Sequence, residues 1–205
     1  MNTEKYIALS KRIRALKKVY LPAKFSPTGA YRDSTYEKVR AYEVLAHAEM
    51  EFYFEEIALS IAKSAYEKWS NFYKASPPLV AMVAYYSGQY PSMPESHDGN
   101  ISDKDVDYRV KAAYQEYNHR IRVNNHGIKE KNILSIFLPI GVRISDLDEG
   151  MLIALNNFGS ERGKIAHSTR ASKITTPEDA LSTVADLMSY IDLFDQFLSK
   201  YKRTI

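Results

Sequence analysis

STYEKVRAYEVLAHAEMEFYFEEIALSIAKSAYEKWSNFYK, residues 34–74, decides the fold class, because it runs without a glycine or a proline. Its apolar residues recur at helical spacing. Val39, Ala46, Met50, Tyr53 and Ile57 form one stripe, and Phe54, Ala58, Ile61 and Ala65 lie alongside. Ser34 followed by Glu37 reads as a capping box. The stretch predicts one helix of about eleven turns at 3.6 residues per turn. A helix that long serves as the spine of a bundle, since its apolar face has to be covered by neighbours.

The flanking segments keep the same period. Tyr6, Leu9, Ile13, Leu16 and Tyr20 predict an amphipathic helix at about 4–20 whose polar positions are mostly basic. Pro22, Pro27 and Gly29 mark a loop reaching Asp33. Pro77 and Pro78 open a short apolar helix, Leu79 to Tyr86, that stops at Gly88, and Pro91, Pro94 and Gly99 make 89–101 a loop insertion. Ser102 and Asp105 start a helix through Tyr108, Ala113 and Tyr117 towards Asn125, with Gly127 as its stop. A short apolar piece runs from Ile133 to Leu138. Ser145 and Asp148 start the next helix, whose core face is Leu147, Met151, Leu152, Leu155 and Phe158. Thr176, Pro177 and Asp179 supply cap, first-turn proline and early acid for the last one, with Leu181, Val184, Leu187, Met188, Ile191, Phe194 and Leu198 as its stripe. No segment alternates as a strand would. The expectation is an all-α helical bundle forming a single domain over 1–205.

The composition is that of a compact globular chain: 205 residues, 45% hydrophobic, 26% charged, with a net charge of +3. The absence of cysteine excludes disulfides, thiol nucleophiles and iron–sulfur ligation, and suits a reducing cytoplasm. The basic N-terminus lacks the apolar run of a signal peptide, and no stretch approaches the ~18 apolar residues of a membrane span. A cytoplasmic location without membrane contact is expected.

The sharpest local feature is Arg162-Gly163-Lys164-Ile165-Ala166-His167, an arginine and a histidine five apart. On a continuous helix that spacing turns the second side chain by about 140° net, so the pair flanks one edge. A guanidinium matches phosphate oxygens with a rigid fork of donors, and an imidazole moves protons near neutral pH. Together they are the minimum for attack by a ribose 2′-hydroxyl on its own phosphodiester. That attack needs neither metal nor cofactor, because the nucleophile belongs to the substrate. In the alternative reading Arg162 pairs with a surface carboxylate and His167 caps a helix end.

Two stretches, residues 39–51 (VRAYEVLAHAEME) and residues 161–168 (ERGKIAHS), carry a resemblance to the HEPN superfamily. The chain looks most like its ribonuclease-associated, RiboL-PSP-type domains from prokaryotic defence and toxin systems, and the helix order agrees over roughly 34–200. The resemblance implies a helical bundle that cuts RNA without metal, with Arg162 holding the scissile phosphate and His167 transferring the proton. Lys164 and Ser168, within and just after the motif, become a candidate RNA contact and a candidate supporting residue. A polar residue commonly follows the family arginine, whereas here Gly163 does. One motif supplies a single histidine while transesterification wants a base and an acid. A homodimer with facing motifs, also implied by the resemblance, supplies two. An antitoxin or another defence-system protein is the implied further partner.

Arg40, Glu43, His47 and Glu51 share one face of the long helix. One reading is a buried ion-paired network that fixes register; the other places His47 or Glu51 behind His167 as a supporting group. Glu43 and His47 are four apart rather than the three of a di-iron helix, and no second copy exists, so no metal is expected. Arg120 and Arg122, near His119 and His126, belong to a basic, aromatic face. That face is either solvated helix or an RNA path along which arginine neutralises phosphate.

Overall fold

The computed structural model describes residues 1–86, 105–167 and 175–203, the last four of the middle span as backbone. These residues form α1 (Glu4–Tyr20), α2 (Asp33–Phe72), α3 (Pro77–Tyr86), α4 (Val106–His119), α5 (Glu130–Phe137), α6 (Glu149–His167) and α7 (Pro177–Arg203). Among the described residues there is no strand, and the fold is all-α as the 3.6 period predicts. No helix among them is long and apolar enough to cross a membrane. The insertion at 89–101 lies outside the described residues.

The chain forms two compact units, each assembled from separate stretches. The first comprises 1–54, 126–133 and 147–200. Its core takes Leu9, Ile13 and Leu16 from α1, Tyr42, Ala46 and Met50 from α2, Met151 and Leu155 from α6, and Val184, Leu187, Ile191 and Leu198 from α7. Asp195, fully buried on α7, sits among them. A lone carboxylate there would be strongly destabilising, but it accepts from the Tyr53 hydroxyl at 2.8 Å, the Thr3 N–H at 2.7 Å and the Thr3 hydroxyl at 2.5 Å. Thr3 also caps α1, its Oγ1 accepting from Tyr6 N–H at 3.2 Å. One carboxylate thus ties the start of α1 to α2 and α7.

The second unit comprises 55–125, 134–146 and 201–205. Ile57, Ala58, Ile61 and Ala65 of α2 meet Leu79, Met82, Val110, Ala113, Ile136 and Phe137 in its core. The buried Tyr117 donates to the carbonyl of Ile136 at 2.8 Å, and Tyr66 stacks on Tyr114 at 4.4 Å. Gly141 turns the chain after α5 at φ 83, and a Cβ there would come within 3.1 Å of the Pro77 carbonyl oxygen. Only glycine suits both the conformation and the space.

Helix ends depart from the sequence reading in four places. α2 begins at Asp33, with the Arg32 carbonyl accepting from Thr35 N–H at 2.8 Å, so Ser34 sits in the first turn and not at the cap. It stops at Phe72 because Tyr73 adopts φ 52, and Lys74 N–H folds back to the carbonyl of Lys68 at 3.4 Å. This is the closing turn that glycine usually makes. α4 does not continue evenly to Asn125, since Arg120–Asn124 winds as a π-helix. α6 is capped by Asp148, whose Oδ1 accepts from Met151 N–H at 2.7 Å, while Ser145 lies in a separate 3₁₀ turn. The Thr176 cap of α7 matches the reading, its Oγ1 accepting from Asp179 N–H at 3.2 Å.

Candidate active site

Gly159 and Arg162 are three apart on α6, and Phe158 precedes Arg162 by four, so all three share a face. That face meets His47 of α2 within the first unit. The His47 ring is 2% exposed and lies 6.1 Å from the Phe158 ring, and its Nε2 is 3.7 Å from where a Cβ on Gly159 would stand. The missing side chain at 159 leaves room for the imidazole and for the stem of Lys129. Burial, and after it the Arg162 guanidinium, push the His47 imidazole down to about 4. His47 is therefore neutral at pH 7.

A neutral imidazole has no charge with which to pair Glu51. His47 Nδ1 stands 3.7 Å from Glu51 Oε2, beyond hydrogen-bond reach, and has no hydrogen-bond partner among the described residues. Glu51 instead accepts from the backbone N–H of Gly127, which turns at φ 128, and so fastens the loop before α5 to α2. Glu43 is buried, and Arg40 pairs at the surface with Glu37 at 2.9 Å. The face read as an ion-paired network is thus split: a surface pair, a neutral buried histidine and a loop anchor.

Arg162 is half-buried, and its Nε is enclosed without a hydrogen-bond partner among the described residues. A buried donor in that state is unsatisfied. α6 continues without a break to His167, so the backbone places the two motif residues about 140° apart around one helix. The side chains of Lys164 and His167, and the whole of Ser168, lie outside the described residues. A Cβ built on Gly163 meets none of the described residues within 4 Å.

Arg120 and Arg122 belong to the second unit. Arg120 Nε donates to Glu116 at 2.7 Å, and its guanidinium lies 5.2 Å from the Tyr86 ring centre. Arg122 stands 3.9 Å from Glu56. Both exposed arginines already face a carboxylate, which reduces what they offer to a phosphate. Among the described residues no group of three or more histidines and carboxylates is placed to hold a metal.

The RiboL-PSP-HEPN family model matches residues 7–200. The chain belongs to the RiboL-PSP-HEPN family. Neither the curated proteins nor the solved structures compared with it contain a match. Membership supports an RNA-related, nuclease-type role for this HEPN domain. Phe158 and Gly159 beside His47, and Lys129 and Gly127 beyond them, were not legible as site residues in the sequence, where Phe158 reads as core and Gly127 as a helix stop. Only the three- and four-residue steps back from Arg162 pointed to the first two, and nothing local pointed to the others.

Proposed function

We propose that this HEPN domain is a metal-independent endoribonuclease of a defence or toxin system, acting as a homodimer through Arg162 and His167. The observation that supports it most is the Arg162 guanidinium on α6, the helix that carries His167, with its Nε unsatisfied among the described residues and the buried, neutral His47 of α2 beside it. In the proposed reaction Arg162 binds the non-bridging phosphate oxygens. One histidine of the dimer takes the 2′-hydroxyl proton as the O2′–P bond forms, and the partner's His167 gives a proton to O5′ as the P–O5′ bond breaks. The products are a 2′,3′-cyclic phosphate and a 5′-hydroxyl. His47, having no charge, does not compete with the phosphate for Arg162, and its packing holds the arginine's helix against α2. Antitoxin-type inhibition in the cytoplasm is the proposed setting.

Incubation with total RNA in EDTA tests the chemistry. Cleavage leaving cyclic phosphate ends, lowered at least about 10²-fold by Arg162→Ala or His167→Ala, is expected. Cleavage persisting in both variants removes the site. Gly163, where the family commonly has a polar residue, favours a second reading: a non-catalytic module that binds RNA or protein. Measurable binding with intact RNA would select it.

A further inference from the structure

The first helix carries a charge pattern that the cleavage reading does not use. Leu9, Ile13 and Leu16 face the core. At about 100° per residue, Lys11, Arg14 and Lys18 therefore fall on the opposite side, within about 60° of one another, and Lys17 flanks them. The chain leaves α1 at Leu21 and runs beside this face as far as Phe25, which completes a cleft of ≈ 700 Å³. The four cations line it, and Leu21 and Phe25 are among its apolar residues. No carboxylate of the described residues pairs with any of the four; Arg14 bonds only to Ser10 of its own helix, at 3.2 and 3.1 Å. Arg120 and Arg122 differ, each already facing a glutamate.

Both walls are held in place. Thr3 and Asp195 anchor the start of α1, and Arg12 pairs with Glu49 of α2 at 2.9 Å. Beyond Phe25, Ser26 N–H donates at 2.7 Å to the Tyr31 hydroxyl, which itself donates to Glu178 of α7. Lys11 to Lys18 spans about 10 Å of helix, long enough to face more than one phosphate of a single strand. A row of unpaired cations on a rigid helix matches a linear array of like charges, and the 39%-exposed Phe25 ring offers a base a face to stack on.

We propose that this cleft is a docking track for the phosphate backbone of single-stranded RNA. Lys11, Arg14 and Lys18 hold successive phosphates and Phe25 stacks a base. The proposal rests on RNA as the domain's ligand and not on the chemistry assigned to Arg162 and His167.

The test is fluorescence anisotropy of a labelled 12-nucleotide 2′-O-methyl oligouridylate, which has no free 2′-hydroxyl to attack, with the full chain between 50 and 300 mM salt. Lys11→Gln/Arg14→Gln/Lys18→Gln changes only exposed side chains. It is expected to weaken binding at least about tenfold at the lowest salt and to flatten the slope of log K against log salt by about 2, at roughly 0.7 per lost contact. Phe25→Ala is expected to weaken binding a few-fold with the slope unchanged. Unaltered affinity and slope in the triple variant, no binding by the wild type at 50 mM salt, or displacement by polyglutamate as effective as by polyuridylate would each overturn the proposal; the last would assign the cleft to an acidic protein. The two readings fail separately. Binding that depends on the three cations without cleavage of unmodified RNA by the wild type sinks the nuclease and keeps the track. Cleavage lost in His167→Ala with triple-variant binding intact does the reverse.

Discussion

His47 shows how far the burial of one residue changes its chemistry. Its imidazole is held at about 4 against an ordinary value near 6.5, first by burial and then by Arg162. The unfolded chain therefore binds this proton more readily than the folded one, and acid favours unfolding. The stability involved is fully present above pH 6.5 and is lost as pH falls towards 4. Between pH 7.5 and 5 the loss from this one group comes to about 2 kcal/mol. Urea unfolding of the wild type and of His47→Asn at the two pH values should show the wild type losing that much more than the variant. Equal losses would mean that His47 is protonated in the fold, and the arrangement around Arg162 would need revision.

At the scale of the element, α6 carries the motif, and Gly163 stands inside it. Gly163 lies within the helix, and a Cβ there meets none of the described residues within 4 Å. Glycine in a helix interior costs roughly 0.5–1 kcal/mol relative to alanine through backbone entropy. Gly163→Ala is thus expected to raise the midpoint of thermal unfolding, with a gain of about 0.5–1 kcal/mol. A destabilised variant would show that the glycine answers a contact or a bend in the motif helix. The Cβ of Gly163→Asn, the polar choice common in the family, likewise meets none of the described residues, so the effect of this variant on cleavage tests what a polar group adds at that position.

For the whole molecule, the functional proposal demands two copies, because general base and general acid are both His167. Wild-type protein mixed and refolded with an equal amount of His167→Ala should leave only about one quarter of the dimers fully wild-type, so cleavage per wild-type chain falls by about half. A large excess of the variant should silence the wild type. Cleavage per wild-type chain that ignores the variant, or a monomer by sedimentation with full activity, would remove the composite site. Within the chain, each compact unit draws on stretches far apart in sequence, so truncating α1 would remove part of the core of the first unit. Exposed-face substitutions such as those on Lys11 and Lys18 leave that core alone.

Much of the fold was legible because helical period and capping are local. The stripe from Val39 to Ala65, the Thr176 cap and the spacing of Arg162 from His167 follow from backbone geometry over a few residues. The sequence by itself determined that the protein is helical, how long its central helix is, and that Arg162 and His167 stand five apart on one helix. Tertiary structure alone decided the electrostatics: that His47 meets Arg162 and is neutral, that Glu51 holds Gly127, that Arg122 faces Glu56 while no carboxylate of the described residues pairs with Lys11, Arg14 or Lys18, and that Asp195 is buried among three donors. The reason is physical. A charge is set by burial and by neighbours brought from distant parts of the chain, and neither is a property of the segment in which the residue is written.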